Sequence, residues 1–331
     1  MLCVGVVHPH IFKREPGGSL FYYLCSCAVI GVTELKKLLT LFLILAAAMS
    51  AAGAEASPKR IISLTPVGTE ILFALGQGKN IIGVTTFCDY PPEAAEKPKI
   101  GGYVDISLES LLERKVDLLV LSDLHLRFKK DLDRLRIPYV FVMQRNIKDI
   151  YKSIEDIGAV CGAKKRADGI VAKMKSDVAS VRNKAGRLPR KKTLLCVSRE
   201  LSDETVSVFY AAGKKIFYNE LLEIAGGENV VGSTRAQYPK ITTEGLIVLE
   251  PEVIIDMVGE RQFYHAMEKI DAEKVFNEQY LKNQWMRGVK VKATRSGNIH
   301  ILQGTVYLRP GPRLKQILIA FARAIHPEVK W

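Results

Sequence analysis

The sequence lacks the patterns that identify most enzymes and metal sites. Its six cysteines include no C-x-x-C pair, which argues against a disulfide-rich scaffold and a common zinc site. No G-x-G-x-x-G, Walker, H-E-x-x-H or G-x-S-x-G sequence occurs where its chemistry requires one. The six histidines are scattered, and no pair of carboxylates is placed for acid–base work. We therefore expect no catalytic residues, no resident metal and no cofactor.

The sequence also lacks an apolar run long enough to span a bilayer, which takes about 20 residues. The longest candidate, residues 38–49, follows Lys36 and Lys37 and precedes small residues that end near Ala54. This order is typical of a cleavable secretion signal. Cys27 precedes the run and makes a poor lipoprotein acceptor, so we expect secretion rather than lipid anchoring.

The charge of the chain and the spacing of its apolar residues indicate its surface and its fold class. The formal charge of +13 is spread along predicted helices without a nucleic-acid motif, so we interpret it as a solvated basic surface and expect no nucleic-acid partner.

Continuous aliphatic runs alternate with amphipathic helices, which is typical of parallel α/β sheets. The expected divisions are a leader over 1–56 (a spurious extension 1–31 and a signal peptide at about 32–54), an N-terminal lobe over 59–163, a linking helix over 164–186 and a C-terminal lobe over 190–331.

One segment of the chain occurs twice. Tyr238 follows Tyr103 by 135 residues, Glu244 follows Glu109 by the same 135, and an aliphatic run comes after each glutamate. The repeat predicts two related lobes that each carry a tyrosine and a glutamate at the start of a helix. The same acidic residue on two similar lobes indicates a partner that contacts both lobes in a symmetric way.

Five segments of the chain match one known family: Arg60-Ile-Ile-Ser-Leu-Thr-Pro66, Gly83-Val-Thr-Thr-Phe-Cys-Asp-Tyr-Pro-Pro92, Ser107-Leu-Glu109, Gly226-Gly-Glu-Asn229 and Arg309-Pro-Gly-Pro-Arg313. In these the chain resembles the periplasmic substrate-binding proteins of ABC importers for cobalamin, haem and ferric siderophores, and most of all the cobalamin-binding members. The resemblance implies two Rossmann-like lobes joined by a single long α-helix, with the ligand cleft between the lobes. It further implies a periplasmic monomer that docks through Glu109 and Glu244 onto a dimeric permease in the inner membrane.

Ligands of open α/β sheets lie beyond the carboxyl ends of the strands, and that rule selects the loops that follow the predicted strands. Aromatic walls in those loops suit a flat macrocycle. With the resemblance, this gives the expected ligand-binding residues Phe87, Tyr103, His125, Arg199, Tyr238, Tyr264, Tyr307 and Arg309. Cys88 lies in the first of these loops, and we expect its thiol to be exposed.

Three ligands remain open at this point. A corrinoid is favoured by the sequence around Phe87 and by aromatic positions on both lobes. Haem would need an axial ligand, for which the candidates are Tyr103, Tyr238, His125 and His265. An anionic ferric siderophore would need arginines, for which the candidates are Arg127, Arg199, Arg261 and Arg309. We expect the corrinoid, and we expect little lobe closure because one stiff helix is a poor hinge.

Overall fold

The computed structural model describes residues 40, 57–102, 108–201, 203–232, 234–259 and 276–331. The chain divides into the units Met1–Glu55 and Ala56–Trp331. Apart from residue 40, the predicted leader lies outside the described residues. Among the residues described, no helix is long and apolar enough to cross a membrane.

The second unit alternates strands and helices. The strands are β1 Ile61–Ser63, β2 Ile81–Val84, β3 Leu118–Ser122, β4 Tyr139–Val142, β5 Lys191–Arg199, β6 Val208–Ala211, β7 Gly227–Asn229, β8 Lys240–Thr242, β9 Val253–Val258 and β10 Ile299–Gln303. The α-helices are α1 Pro66–Ala74, α2 Pro92–Ala95, α3 Leu108–Glu113, α4 Lys129–Leu135, α5 Ile147–Val160, α6 Lys164–Ala185, α7 Phe217–Ile224, α8 Thr243–Leu249, α9 Glu278–Gly288, α10 Lys292–Ser296 and α11 Leu314–Ile325. Short 3₁₀ turns cover Gly78–Asn80, Asp123–Phe128 and Thr305–Leu308.

The strands form two sheets, one in each lobe. The N-terminal sheet has the order β2-β1-β3-β4, with all neighbours parallel. In the C-terminal sheet, β7, β5, β9 and β10 repeat that parallel order. Every residue of β3 and β9 is buried, as expected for aliphatic strands covered on both faces. The predicted fold of two α/β lobes is confirmed.

The internal repeat is also a structural repeat. Helices α3 and α8 begin at Leu108 and Thr243, and strands β3 and β9 begin at Leu118 and Val253. Both starts differ by the 135 residues that separate Glu109 from Glu244. The two glutamates therefore occupy the first turn of equivalent helices in equivalent positions beside their sheets.

The linking helix α6 spans 22 residues, with the predicted start at Lys164 and end at Ala185. At about 1.5 Å per residue it is about 33 Å long. Its buried side, which includes Val171, Met174, Val178 and Val181, joins a core shared by residues of both lobes. Helix α5 precedes it and is capped by Asn146, whose side chain accepts a hydrogen bond from the Asp149 N–H (2.8 Å).

Two strands of the C-terminal sheet depart from the expected parallel arrangement. Strand β6 pairs antiparallel with β5, and β8 pairs antiparallel with β6. In β6, buried Phe209 alternates with exposed Tyr210, so the strand lacks the continuous aliphatic run of a parallel strand. Antiparallel pairing places these short strands at one edge of the parallel set.

The expectation of an exposed Cys88 is wrong. Only 1% of the residue is accessible, and its Sγ lies 3.2 Å from Oγ1 of both Thr69 and Thr85. The Lys99 ammonium donates to the Cys88 carbonyl (2.9 Å), which draws the loop inward. The thiol is thus enclosed between helix α1 and the end of β2.

Candidate functional site

The segment Arg309-Pro-Gly-Pro-Arg313 joins the C-terminal lobe to the loop after β2. The Arg309 guanidinium donates to both carboxylate oxygens of Asp89 and to the carbonyl oxygen of Phe87 (2.9 Å). The Arg309 side chain is only 7% exposed. A charged group this deeply enclosed needs its paired carboxylate, so this contact fixes the backbone that carries Phe87.

Arg313, at the other end of the segment, makes a second ion pair across the lobes. Its Nε donates to a carboxylate oxygen of Glu70 (2.8 Å), and Nη2 donates to the other oxygen. The Arg313 guanidinium also stacks on the Tyr90 ring, 3.6 Å from the ring centre. Burial raises the pKa of Glu70, and the hydrogen bond from Arg313 opposes that rise. We call residues 309–313 the clamp segment.

Backbone contacts extend the junction on both sides of the clamp segment. The Gln144 amide donates to the Pro310 carbonyl (3.3 Å), and the Ile147 N–H donates to Glu220 (3.1 Å). A Cβ added to Gly311 would lie 3.1 Å from Val67 Cγ1, so a larger residue would crowd helix α1. The two lobes are therefore in direct contact at the base of the predicted cleft.

The aromatic residues near this junction come from both lobes. Phe87 is 37% exposed and Tyr238 is 43% exposed. Partial burial raises the pKa of Tyr238, and the negative charge of Asp123 in the opposite lobe raises it further. The buried Tyr218 hydroxyl donates to the Tyr307 carbonyl (2.8 Å), two residues before Arg309. Of these aromatic residues, Phe87 is joined to the other lobe through Arg309, and the Tyr307 side chain lines a separate cavity with His300 and Trp331.

His125 and Arg199 point away from the cleft surface. His125 is 1% exposed, and its Nδ1 accepts from the Ser122 N–H (3.0 Å) at the start of a 3₁₀ turn. The Arg199 side chain is also 1% exposed and donates to Asp256 (2.8 Å) inside the C-terminal lobe. Neither side chain offers accessible surface, so neither is retained as a candidate ligand contact.

The remaining predicted ligand contacts, Tyr103 and Tyr264, lie outside the described residues, as do His265 and Arg261. Two residues of the described part were missed by sequence reasoning. Asp123 directly follows β3 and its charge raises the pKa of Tyr238, and its place at the carboxyl end of a strand was a usable signal. Tyr218 gave no signal, because it is buried in an amphipathic helix and supports the site from within.

Both predicted docking glutamates, Glu109 and Glu244, are exposed. A hydrogen bond from the Thr242 hydroxyl lowers the pKa of Glu244, so this carboxylate keeps its charge at acidic pH. An exposed aliphatic residue follows each glutamate by three positions, Leu112 at 48% and Ile247 at 55% accessibility. Residues three apart share a helix face. Each lobe therefore presents an acidic group beside an aliphatic one.

The sequence of the chain is similar to that of a known protein family. The family model described as "Periplasmic binding protein" matches residues 61–304 of the 331. The chain belongs to the periplasmic binding protein family. Proteins of this family bind and present substrates for transport and are not enzymes. Among the residues described, no cluster of histidine, cysteine or carboxylate side chains could hold a metal ion.

Three similar proteins illustrate the range of this family. An uncharacterized ABC transporter substrate-binding lipoprotein, YvrC of Bacillus subtilis, is 29% identical over 82% of this chain and 81% of its own length. A vitamin B12-binding protein of Vibrio parahaemolyticus is 27% identical over 79% of this chain and 87% of its own. The crystal structure of a periplasmic heme-binding protein from Pseudomonas aeruginosa aligns with a TM-score of 0.66 at 21% identity, covering 82% of this chain and 94% of that one.

Proposed function

We propose that this periplasmic binding protein captures a corrinoid and delivers it to the dimeric permease of an ABC importer in the inner membrane. The observation that carries the proposal is the duplicated surface of helices α3 and α8. Glu109 with Leu112, and Glu244 with Ile247, stand at equivalent positions on two equivalent lobes. A permease built from two like subunits presents two like surfaces, which this duplication matches.

The proposed ligand site lies at the junction of the lobes. Phe87 and Tyr238 offer exposed aromatic surface there, and Tyr103, Tyr264 and Tyr307 are proposed to complete the walls. Aromatic walls suit the broad apolar faces of a corrin ring at a low cost in side-chain entropy. Arg309 is proposed as a positioning residue for Phe87, because its guanidinium is occupied by Asp89 and the Phe87 carbonyl.

Haem, or a ferric siderophore, is the second candidate, and it is favoured by the likeness to the heme-binding protein of Pseudomonas aeruginosa. Tyr238 is the accessible residue that could serve as an axial ligand among those described. Iron binds the phenolate form of tyrosine most strongly, and burial together with Asp123 raises the pKa of Tyr238. Coordination to iron would have to displace the phenolic proton, and ligand titration decides between haem and the corrinoid.

The N-terminal segment is proposed to direct the protein to the periplasm. Residues 38–49, with Lys36 and Lys37 before them, are proposed to act as a signal peptide that is cleaved near residue 54. The mature protein is proposed to be a monomer, because the duplicated surface belongs to a single chain. N-terminal sequencing of the secreted protein would reveal the cleavage position.

Titration of the purified protein with cyanocobalamin, hemin and ferrichrome tests the ligand proposal. We expect saturable binding of cyanocobalamin, with Phe87→Ala and Tyr238→Ala each weakening it by about tenfold, since each removes a large apolar contact worth ~1.5 kcal/mol or more. Tyr210→Ala, which alters an exposed tyrosine on β6, is the matched control. Tighter binding of hemin or ferrichrome would replace the corrinoid proposal, and binding of none of the three would refute it.

The double variant Glu109→Ala/Glu244→Ala tests the docking proposal separately. We expect unchanged ligand affinity and loss of cellular uptake. The pair Glu96→Ala/Glu228→Ala removes the same number of exposed carboxylates outside α3 and α8 and should retain uptake. Normal uptake by the first variant would contradict the docking role while leaving the ligand proposal intact.

A further inference from the structure

A cavity of about 280 Å³ lies where helices α5, α6 and α7 meet. Its polar lining is Lys148 and Tyr151 from α5, Lys175 and Arg182 from the linking helix α6, and Glu220 from α7. Three cations and one carboxylate thus face the same space. The cavity shares no residue with the proposed ligand site or with the docking helices α3 and α8.

The three cations of this cavity are unpaired. Within the described part of the chain, Lys148, Lys175 and Arg182 take part in no ion pair. The aspartate of the same stretch of α6, Asp177, is held elsewhere by Lys173 (2.9 Å) and Lys315 (2.8 Å). All three side chains are exposed at the mouth of the cavity, where helices α5 and α6 bring them together.

The single carboxylate of the cavity does not neutralise the cations. Glu220 accepts the Ile147 N–H (3.1 Å) at the first turn of α5 and so serves to fix that helix against α7. The ring of Tyr151 lies beneath Lys175, whose Nζ is 5.4 Å from the ring centre. Burial raises the pKa of the Tyr151 phenol, which keeps its hydroxyl protonated and able to donate a hydrogen bond.

We propose that this cavity binds an anion that carries a phosphate group. Lys148, Lys175 and Arg182 would surround the phosphate oxygens, and the Tyr151 hydroxyl would donate to one of them. Arginine and lysine are the side chains that form strong charge-assisted hydrogen bonds with phosphate. A volume of about 280 Å³ holds roughly nine waters, so a phosphate group fits with part of its hydration shell.

The group could come from two sources. A free phosphate compound of the periplasm could enter the cavity, or the head group of a phospholipid could reach it from a membrane surface. Both place the same phosphate oxygens among the same three cations. Because the walls come from both lobes and from the linking helix, the anion would add a contact that joins them.

Isothermal titration of the purified protein with sodium pyrophosphate tests the free source, and sedimentation with phosphatidic acid vesicles against phosphatidylcholine vesicles tests the lipid source. We expect saturable binding in at least one of them. Lys175→Gln/Arg182→Gln should weaken it by about tenfold or more, since each cation contributes charge-assisted hydrogen bonds. Lys165→Gln/Lys192→Gln, at exposed positions outside the cavity, removes the same charge and is the matched control.

A second variant should change the affinity for the anion in the opposite direction. Glu220→Gln keeps an oxygen that can accept the Ile147 N–H but removes the negative charge, so we expect severalfold tighter binding. Glu228→Gln is its control, with no change expected. Equal losses in Lys175→Gln/Arg182→Gln and Lys165→Gln/Lys192→Gln would show general attraction to a basic surface and overturn the proposal. Absence of binding to both probes would also overturn it.

Discussion

Arg199 shows how one residue can be basic, close to the end of a strand and still unavailable to a ligand. Its guanidinium is paired with Asp256 and lies 5.6 Å from the centre of the Trp285 ring, and Trp285 Nε1 donates to the same carboxylate (2.9 Å). Gln284 accepts a further hydrogen bond from Arg199 (2.8 Å). Each polar group therefore depends on the others inside the C-terminal lobe.

We expect Arg199→Met to lower the free energy of unfolding by about 3–5 kcal/mol, because it leaves the Asp256 carboxylate buried without its cation. Urea denaturation followed by circular dichroism measures this. Lys152→Met, which removes one partner of an exposed ion pair with Asp156, should cost about 1 kcal/mol or less. A small loss in Arg199→Met together with weaker ligand binding would return Arg199 to the ligand site.

Glu244 yields a prediction about pH. Its pKa is lowered mainly by the hydrogen bond from the Thr242 hydroxyl. A lowered pKa means that this stabilisation is present above the ordinary carboxylate range and is lost as pH falls through the folded-state pKa. In an NMR titration, we expect Glu244 in Thr242→Val to titrate closer to 4.5, its ordinary value, than in the parent protein.

Thr242→Ser is the control for that titration, since it keeps the hydroxyl. Thr242 also caps helix α8 by accepting from the Gly245 N–H (3.4 Å), and the serine variant preserves that contact as well. Identical titration of Glu244 in the valine variant and the parent would show that the hydroxyl does not set its pKa.

At the scale of elements, the clamp segment determines how the lobes meet. We expect Arg309→Met to destabilise the protein by about 3 kcal/mol, because Asp89 is left largely enclosed without its cation. Arg309→Met/Asp89→Leu should recover much of that loss. Thermal unfolding without ligand measures both. If Arg309→Met weakened ligand binding without lowering stability, Arg309 would be a ligand contact and not a clamp.

The elements differ in how well the sequence predicts them, for physical reasons. Helix α6 lies within one residue of its predicted bounds, since an apolar side at helical spacing is a local signal. Strand β8 was missed because its residues are polar and partly exposed. The burial of Cys88 and the pairing of Arg309 with Asp89 depend on contacts between distant parts of the chain, which no local pattern reports.

At the scale of the molecule, the two lobes share the repeated segment but differ in the apolar surface that it exposes. Leu112 and Ile247 occupy equivalent positions, but the residue after Ile247 is Val248, which is 84% exposed, and its counterpart in the N-terminal lobe is Glu113. The C-terminal lobe therefore presents the larger apolar patch beside its glutamate. These aliphatic residues are the apolar surface that the proposed docking would cover.

This difference gives a prediction about docking on the permease. We expect Leu112→Ser to weaken the complex with the permease in nanodiscs by about tenfold and Ile247→Ser/Val248→Ser by more, since burying each aliphatic side chain is worth ~1.5 kcal/mol or more. Val160→Ser, which alters an exposed valine at the end of α5, should leave the affinity unchanged. Ligand affinity serves as the check on folding for all three variants. Because the proposed docking places the two lobes on separate subunits, the losses from α3 and α8 should add when the substitutions are combined. A complex that tolerates the combined variant would contradict a symmetric contact through these helices.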